Sequence, residues 1–153
     1  MEHPKDVGDR STLAIMFGLR AAGYELYVPF GENTRCDLIV GDGARLLRIQ
    51  CKTGRLRNGT IIFKVCSSYA HHRAPIAPQR DYHGEIDVFG VYCHETGQVY
   101  MVPIEEVGRQ TASLRIDPPK NGQRRRIRIA SDYELVPATA GLRGLSGARG
   151  SSA

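Results

Sequence analysis

Apolar positions change period early in the chain. Over residues 9–22 (DRSTLAIMFGLRAA), Leu13, Met16, Phe17 and Leu19 recur at helical spacing, which predicts an amphipathic helix carrying those four on its apolar face. Asp9 or Ser11 can cap its start by accepting backbone N–H bonds, and Gly23 stops it. From Glu25 to Phe30 the period becomes two, with Leu26, Val28 and Phe30 alternating against Glu25, Tyr27 and Pro29, as a strand requires.

A second strand is expected over Cys36–Val40. It turns at Gly41-Asp42-Gly43 into a third, Leu46–Thr53, as its hairpin partner. Residues 60–66 (TIIFKVC) read as another strand, entered through Asn58-Gly59, a pair that tolerates the positive φ of a tight hairpin. Residues 67–83 have no clear period and read as a loop or short helix. Ile86–Cys93 and Val99–Val102 are β-branched and aromatic runs joined by a Glu95-Thr96-Gly97 turn, and 104–107 suggests one helical turn. Residues 114–116 and 126–130 are expected to pair as edge strands around Pro118-Pro119-Lys120-Asn121-Gly122. From Pro137 onward small residues dominate. A domain over 1–136 with a flexible tail over 137–153 follows. Helix, then strands, then more strands suggests an α/β fold with a central mixed sheet.

The 153 residues fit one domain, and 41% hydrophobic with 24% charged residues is ordinary for a soluble protein. The opening MEHPKDVGDR lacks an apolar core, and no apolar run approaches the roughly 18 residues of a membrane span, so a cytoplasmic setting is expected. A net charge of +5 permits binding to phosphate backbones without demanding it. Cys36, Cys51, Cys66 and Cys93 lie far apart with no CxxC pair; they read as free, mostly core, residues rather than a zinc site.

The chemistry concentrates between Arg35 and Lys52. Side chains alternate along a strand, so Gln50 and Lys52 project from one face while Ile49 and Cys51 project from the other. A hairpin about residues 41–45 brings Asp37 close to Gln50 and Lys52, converging a carboxylate, a carbonyl oxygen and an ammonium. Mg²⁺ takes oxygen ligands and needs only one or two from protein when a substrate phosphate supplies more. Such a metal lowers the pKa of a bound water, and a nearby lysine stabilises charge developing in the transition state. The bland alternative is that Asp37 ends a turn and Lys52 is a solvated strand residue.

The order helix, strand, Asp-bearing strand, turn, QxK strand resembles the PD-(D/E)XK endonuclease superfamily, in the branch of intron-encoded homing endonucleases with QxK as third motif. Gly23-Tyr24, Pro29–Arg35, Asp37-Leu38, Gln50–Gly54, Tyr82–Asp87, Val91-Tyr92 and Val99–Pro103 all read like that family, which covers about residues 8–135. The resemblance implies a restriction-endonuclease-like core: a central mixed sheet flanked by helices, with additional hairpins. It implies a metal-dependent DNA endonuclease with Asp37 as central metal ligand, Gln50 as ligand or its positioner, and Lys52 as catalytic lysine. Mg²⁺ is the expected cofactor, with Mn²⁺ as a substitute. DNA is the expected partner, and relatives work as homodimers or tetramers. One departure stands out. The family places a Glu on the first helix, where this chain aligns Thr12, which supplies no charge; Asp9, one turn earlier, is a possible substitute. A catalytically impaired DNA-binding relative of the same fold is therefore the alternative, and a structural module with an incidental basic patch a third reading.

Arg45, Arg48, Lys52, Arg55 and Arg57 are expected to cluster around the site, with Arg35, Arg48, Arg55 and Arg57 as phosphate contacts. Arg124, Arg125, Arg126 and Arg128 form a second basic run that reads equally as a solvated edge. His71, His72 and Arg73 read as a surface loop. Asp87 either caps the site or ties down a loop through hydrogen bonds. Tyr82, Tyr92 and Tyr100 read as core or half-buried positions rather than base-stacking platforms.

Overall fold

Pro4 fixes φ at the first helical position and leaves no orphan N–H, so helix α1 begins there and runs Pro4–Ala21. The computed structural model describes residues 2–68, 79–117 and 127–141. The start is earlier than the periodicity suggested: neither Asp9 nor Ser11 caps the helix. His3 does, accepting the Lys5 N–H through Nδ1 at 3.2 Å. The buried stripe is Ser11, Ile15 and Leu19. Leu13 and Phe17, expected on the apolar face, are 63% and 77% exposed. The expectation failed because Ser11, a small hydroxyl, occupies the inward face. Its Oγ lies 2.6 Å from Thr53 Oγ1 and 3.1 Å from His94 Nε2, which satisfies a polar group that would otherwise be costly to bury.

Among the described residues nine strands follow: β1 Glu25–Tyr27, β2 Leu38–Gly41, β3 Leu46–Arg57, β4 Thr60–Lys64, β5 Cys66–Ser68, β6 Gln79–Asp81, β7 Val88–Cys93, β8 Gln98–Pro103 and β9 Thr111–Arg115. Seven of them form one mixed sheet, and β5 and β6 pair separately. The first strand is shorter than its alternation suggested, because beyond Tyr27 both Val28 and Phe30 are exposed. The strand after Asn58-Gly59 divides into β4 and β5 at Val65. Asn58 and Gly59 both take positive φ, 51° and 72°, as a two-residue hairpin requires. Strand β9 forms its ladder with β4; from the described residues 127–130 a parallel bridge, Arg115 to Ile129, and the Arg128 guanidinium, which donates to the Ser113 carbonyl at 3.5 Å, reach it. Short 3₁₀ turns occupy Ile104–Glu106, Ala130–Tyr133 and Ala138–Ala140. Residues 142–153 of the expected tail, His71, His72, Arg73, the 118–122 turn and Arg124–Arg126 lie outside the described residues.

Strand β3 organises everything. It pairs antiparallel with β2 along Leu46–Ile49 and with β4 along Arg55–Arg57, while Ile49–Gly54 run parallel to β7. Its alternation separates two cores. Leu47, Ile49 and Cys51 pack with Ile15, Leu19 and Val88 beneath α1. On the other side Phe63, Tyr82, Ile86, Phe89, Val91 and Leu114 form the second core. Gly54 is where β3 changes partner. A Cβ there would lie 2.6 Å from Ile61 Cγ2 and 2.9 Å from Val91 Cγ1, so only glycine lets β4 and β7 close around the strand.

Candidate active site

The β2–β3 register sets Leu38 opposite Ile49, which brings Asp37, just before β2, alongside Gln50. Its backbone N–H donates to the Ile49 carbonyl at 2.8 Å. Its Oδ2 accepts the N–H of Cys51 at 2.9 Å, the residue between Gln50 and Lys52. The carboxylate thus takes over where the β2 ladder ends, satisfying a peptide group that no β2 residue reaches. The three residues singled out from sequence are brought together by this hairpin.

Gln50 and Lys52 project from the face opposite α1, next to Phe89 and Val91 in the parallel β3–β7 register. The Lys52 ammonium lies 3.4 Å from the Cys66 carbonyl, 3.5 Å from Tyr82 Oη and 4.9 Å from the centre of the Tyr82 ring. Burial pushes the Lys52 pKa below its ordinary value, against the attraction of Asp37. Burial likewise pushes Asp37 up, against the Cys51 N–H and the Lys52 charge that favour its ionised form. The two charged groups help each other electrostatically, yet desolvation prevails for both. Such opposed shifts are common at functional sites.

Tyr82 is the site residue that sequence reading did not assign to the site. It is buried, as expected, and stacks edge-on against Phe89 at 5.7 Å. Its ring also faces the Arg35 guanidinium at 4.0 Å, so one aromatic side chain contacts two cations. The Tyr82–Asp87 string was part of the family likeness, but nothing in its spacing announced this contact.

The arginines divide into two groups. Arg35 pairs with Glu85, donates to Ser67 Oγ at 2.8 Å and to the Asp81 carbonyl at 2.8 Å. Arg48 lies 3.2 Å from Asp87 through both Nε and Nη2, and donates to the Gly84 carbonyl at 3.3 Å. Asp87 also accepts the Arg48 backbone N–H at 2.7 Å, so it ties the 82–87 loop to β3 rather than capping the site. Burial alone would raise Asp87, but the Arg48 hydrogen bonds outweigh it and the pKa falls below its ordinary value. Arg55 and Arg57, by contrast, are exposed and line one groove of about 400 Å³ with Lys52 and Lys64. Arg45 sits at the opposite end of β3, a strand about 40 Å long at roughly 3.3 Å per residue for its 12 residues, and so belongs to no such cluster.

Thr12, which the sequence reading aligned with a family Glu, spends its hydroxyl on the Gly8 carbonyl one helical turn back at 3.1 Å. It also faces the Cys51 thiol, which burial and the nearby Asp37 push up to about 12 despite that contact. Among the described residues no group of three or more His, Cys, Asp or Glu side chains is placed to hold a metal ion. The donors expected from sequence, Asp37 and Gln50, both offer oxygen, the ligand type that a hard divalent cation takes together with water and phosphate. All four cysteines are free, with Cys51, Cys66 and Cys93 buried and Cys36 half-buried.

No helix among the described residues is long and apolar enough to cross a membrane. No curated protein matches the chain. Among solved structures it is similar to a bacterial homing endonuclease, I-Ssp6803I, at 19% identity and a TM-score of 0.66, over 87% of this chain and 89% of that one. Residues 2–136 match the family model described as PD-(D/E)XK endonuclease, a family whose nucleases generally use divalent metal ions. The chain belongs to the PD-(D/E)XK endonuclease family.

Proposed function

We propose that this protein is a divalent-metal-dependent DNA endonuclease that hydrolyses phosphodiester bonds, with Asp37, Gln50 and Lys52 as its catalytic set. The observation that carries this reading is the Asp37 carboxylate bonded to the peptide N–H between Gln50 and Lys52. Asp37 and Gln50 would hold Mg²⁺, or Mn²⁺ in its place. The bound metal would supply Lewis acidity toward the phosphate and lower the pKa of an attacking water. Burial raises the Asp37 pKa, and the charge of a bound cation would favour its ionised form. The Lys52 ammonium, held between the Cys66 carbonyl and Tyr82, presents positive charge to the phosphate oxygens that gain negative charge during displacement. Tyr82 positions that ammonium.

The protein acts on cytoplasmic DNA as a homodimer or tetramer, so that two sites reach two strands. The first 136 residues form the nuclease unit, and 137–153 a tail. Supercoiled plasmid incubated with Mg²⁺ or Mn²⁺ tests the chemistry. Nicking or linearisation that EDTA and Lys52→Ala both abolish is expected. DNA retention without cleavage on any sequence tried supports a second reading, a catalytically impaired DNA-binding relative. Thr12, engaged with Gly8 and carrying no charge, is the observation behind that alternative.

A further inference from the structure

Strands β3, β4 and β9 turn a face toward solvent whose rows are fixed by register. Arg57, Thr60 and Arg115 align in one row, Arg55, Ile62 and Ser113 in the next, and Lys64 with Thr111 in a third. Rows on one face repeat every two residues, about 6.6 Å. That is close to two base steps of axial rise, at about 3.4 Å each along one DNA strand. The groove of about 400 Å³ on this face has Lys52 in its lining, although Lys52 alternates with Arg55 and Arg57 along β3 and projects its side chain from the other side of the strand.

Its cations are short of counter-charge. Among the described residues Arg57 and Lys64 enter no ion pair, and Arg55 feels Glu95 only at a distance. Holding like charges together costs free energy that a polyanion would remove. Arg35 and Arg48, the other two arginines read as phosphate contacts, are already hydrogen-bonded to Glu85 and Asp87.

We propose that the β3–β4–β9 face is the track for the sugar–phosphate backbone of the DNA strand leaving Lys52, with Lys64, Arg55 and Arg57 as its phosphate contacts and Arg35 and Arg48 excluded from it. The Thr111 hydroxyl adds a neutral donor, and Ile62 gives the sugars an apolar surface. This inference rests on the proposed DNA endonuclease reading and specifies where the DNA lies.

Binding of a short non-specific duplex, followed by fluorescence anisotropy across a salt series in EDTA, tests it without relying on cleavage. Each lost phosphate contact lowers the slope of log K against log salt by about 0.9. Lys64→Gln is expected to lower the wild-type slope by that amount and weaken binding several-fold, Arg57→Gln to do the same, and Lys64→Arg to retain the slope. Arg45→Gln, removing one charge at the far end of β3, is expected to leave it unchanged. Unaltered circular dichroism confirms that the variants fold. A steep wild-type slope that Lys64→Gln and Arg57→Gln leave untouched, or that Arg45→Gln lowers equally, overturns the track while the endonuclease reading stands. Absence of any wild-type binding overturns both.

Discussion

Two bases on β3, Arg48 and Lys52, face acids brought from other segments, Asp87 and Asp37, and meet opposite fates. Arg48 and Asp87 satisfy each other: backbone N–H, Nε and Nη2 all converge on one carboxylate, whose pKa falls. Asp37 and Lys52, the latter four residues beyond Arg48 on β3, attract each other without joining, and burial moves each toward its neutral form. The first arrangement fastens a loop. The second stores an electrostatic cost at one spot, as the proposed metal- and phosphate-engaging centre would require. A charged residue beside an apolar strand is therefore not informative by itself; what matters is whether its partner has already consumed it.

The largest expected effect separates the pairs by chemistry. Lys52→Ala should reduce metal-dependent plasmid nicking by about 10²-fold or more, the size of losing one group that stabilises transition-state charge. Asp37→Asn should abolish Mn²⁺ binding as followed by paramagnetic resonance. Arg48→Gln should leave metal binding intact, and equal loss of it would erase the contrast.

Next comes stability. Asp87→Ala removes the acceptor of the Arg48 N–H and should cost about 1–3 kcal/mol. At about 2–4 °C per kcal/mol for a domain of this size, Tm should drop by several degrees in calorimetry. Lys52→Met should do the reverse and raise Tm by about 2–4 °C, because an apolar chain suits the contacts with Tyr82 and Val91 better than a desolvated ammonium. A fall in Tm would mean that Lys52 is held comfortably and the proposed tension is absent.

The smallest effect is in pH. The folded pKa of Asp37 is raised, so the folded state binds its proton more tightly than the unfolded chain does. Its contribution to stability is therefore complete below the unfolded carboxylate value and is lost as pH rises through the higher folded one. In EDTA, Tm should decline over that window, and Asp37→Asn should flatten the decline. Asp87 carries the opposite sign: its stabilisation is present above the unfolded value and is lost as pH falls through the lower folded one. Asp87→Ala should blunt the acid limb instead.

The site was legible because period-two alternation fixes which residues share a face: Gln50 with Lys52 followed from spacing alone, and the turn at 41–43 brought Asp37 to them. Strand identities were readable for the same reason, down to the positive φ at Asn58-Gly59. The helix face was not. Leu13 and Phe17 outweigh Ser11 and Ile15 on any hydrophobic scale, and only the tertiary bonds of Ser11 to Thr53 and His94 reveal which side turns inward. The arginines were equally opaque, since Arg48 and Arg55 look alike until Asp87, thirty-nine residues from Arg48 in the chain, arrives beside one of them. Tyr82 joined the site through contacts that sequence spacing does not encode.

Gly54 immediately follows the Gln50–Thr53 stretch, yet it holds no proton and no phosphate; it is there because Ile61 and Val91 leave no room for a methyl group. A descendant relieved of the need to cut DNA could exchange Lys52 at little cost, or even a gain. It could not exchange Gly54 and keep three strands together. Drift would erase the reactive group first and its scaffold last, so a glycine surviving after a vanished lysine would be the fossil of a nuclease rather than the mark of one.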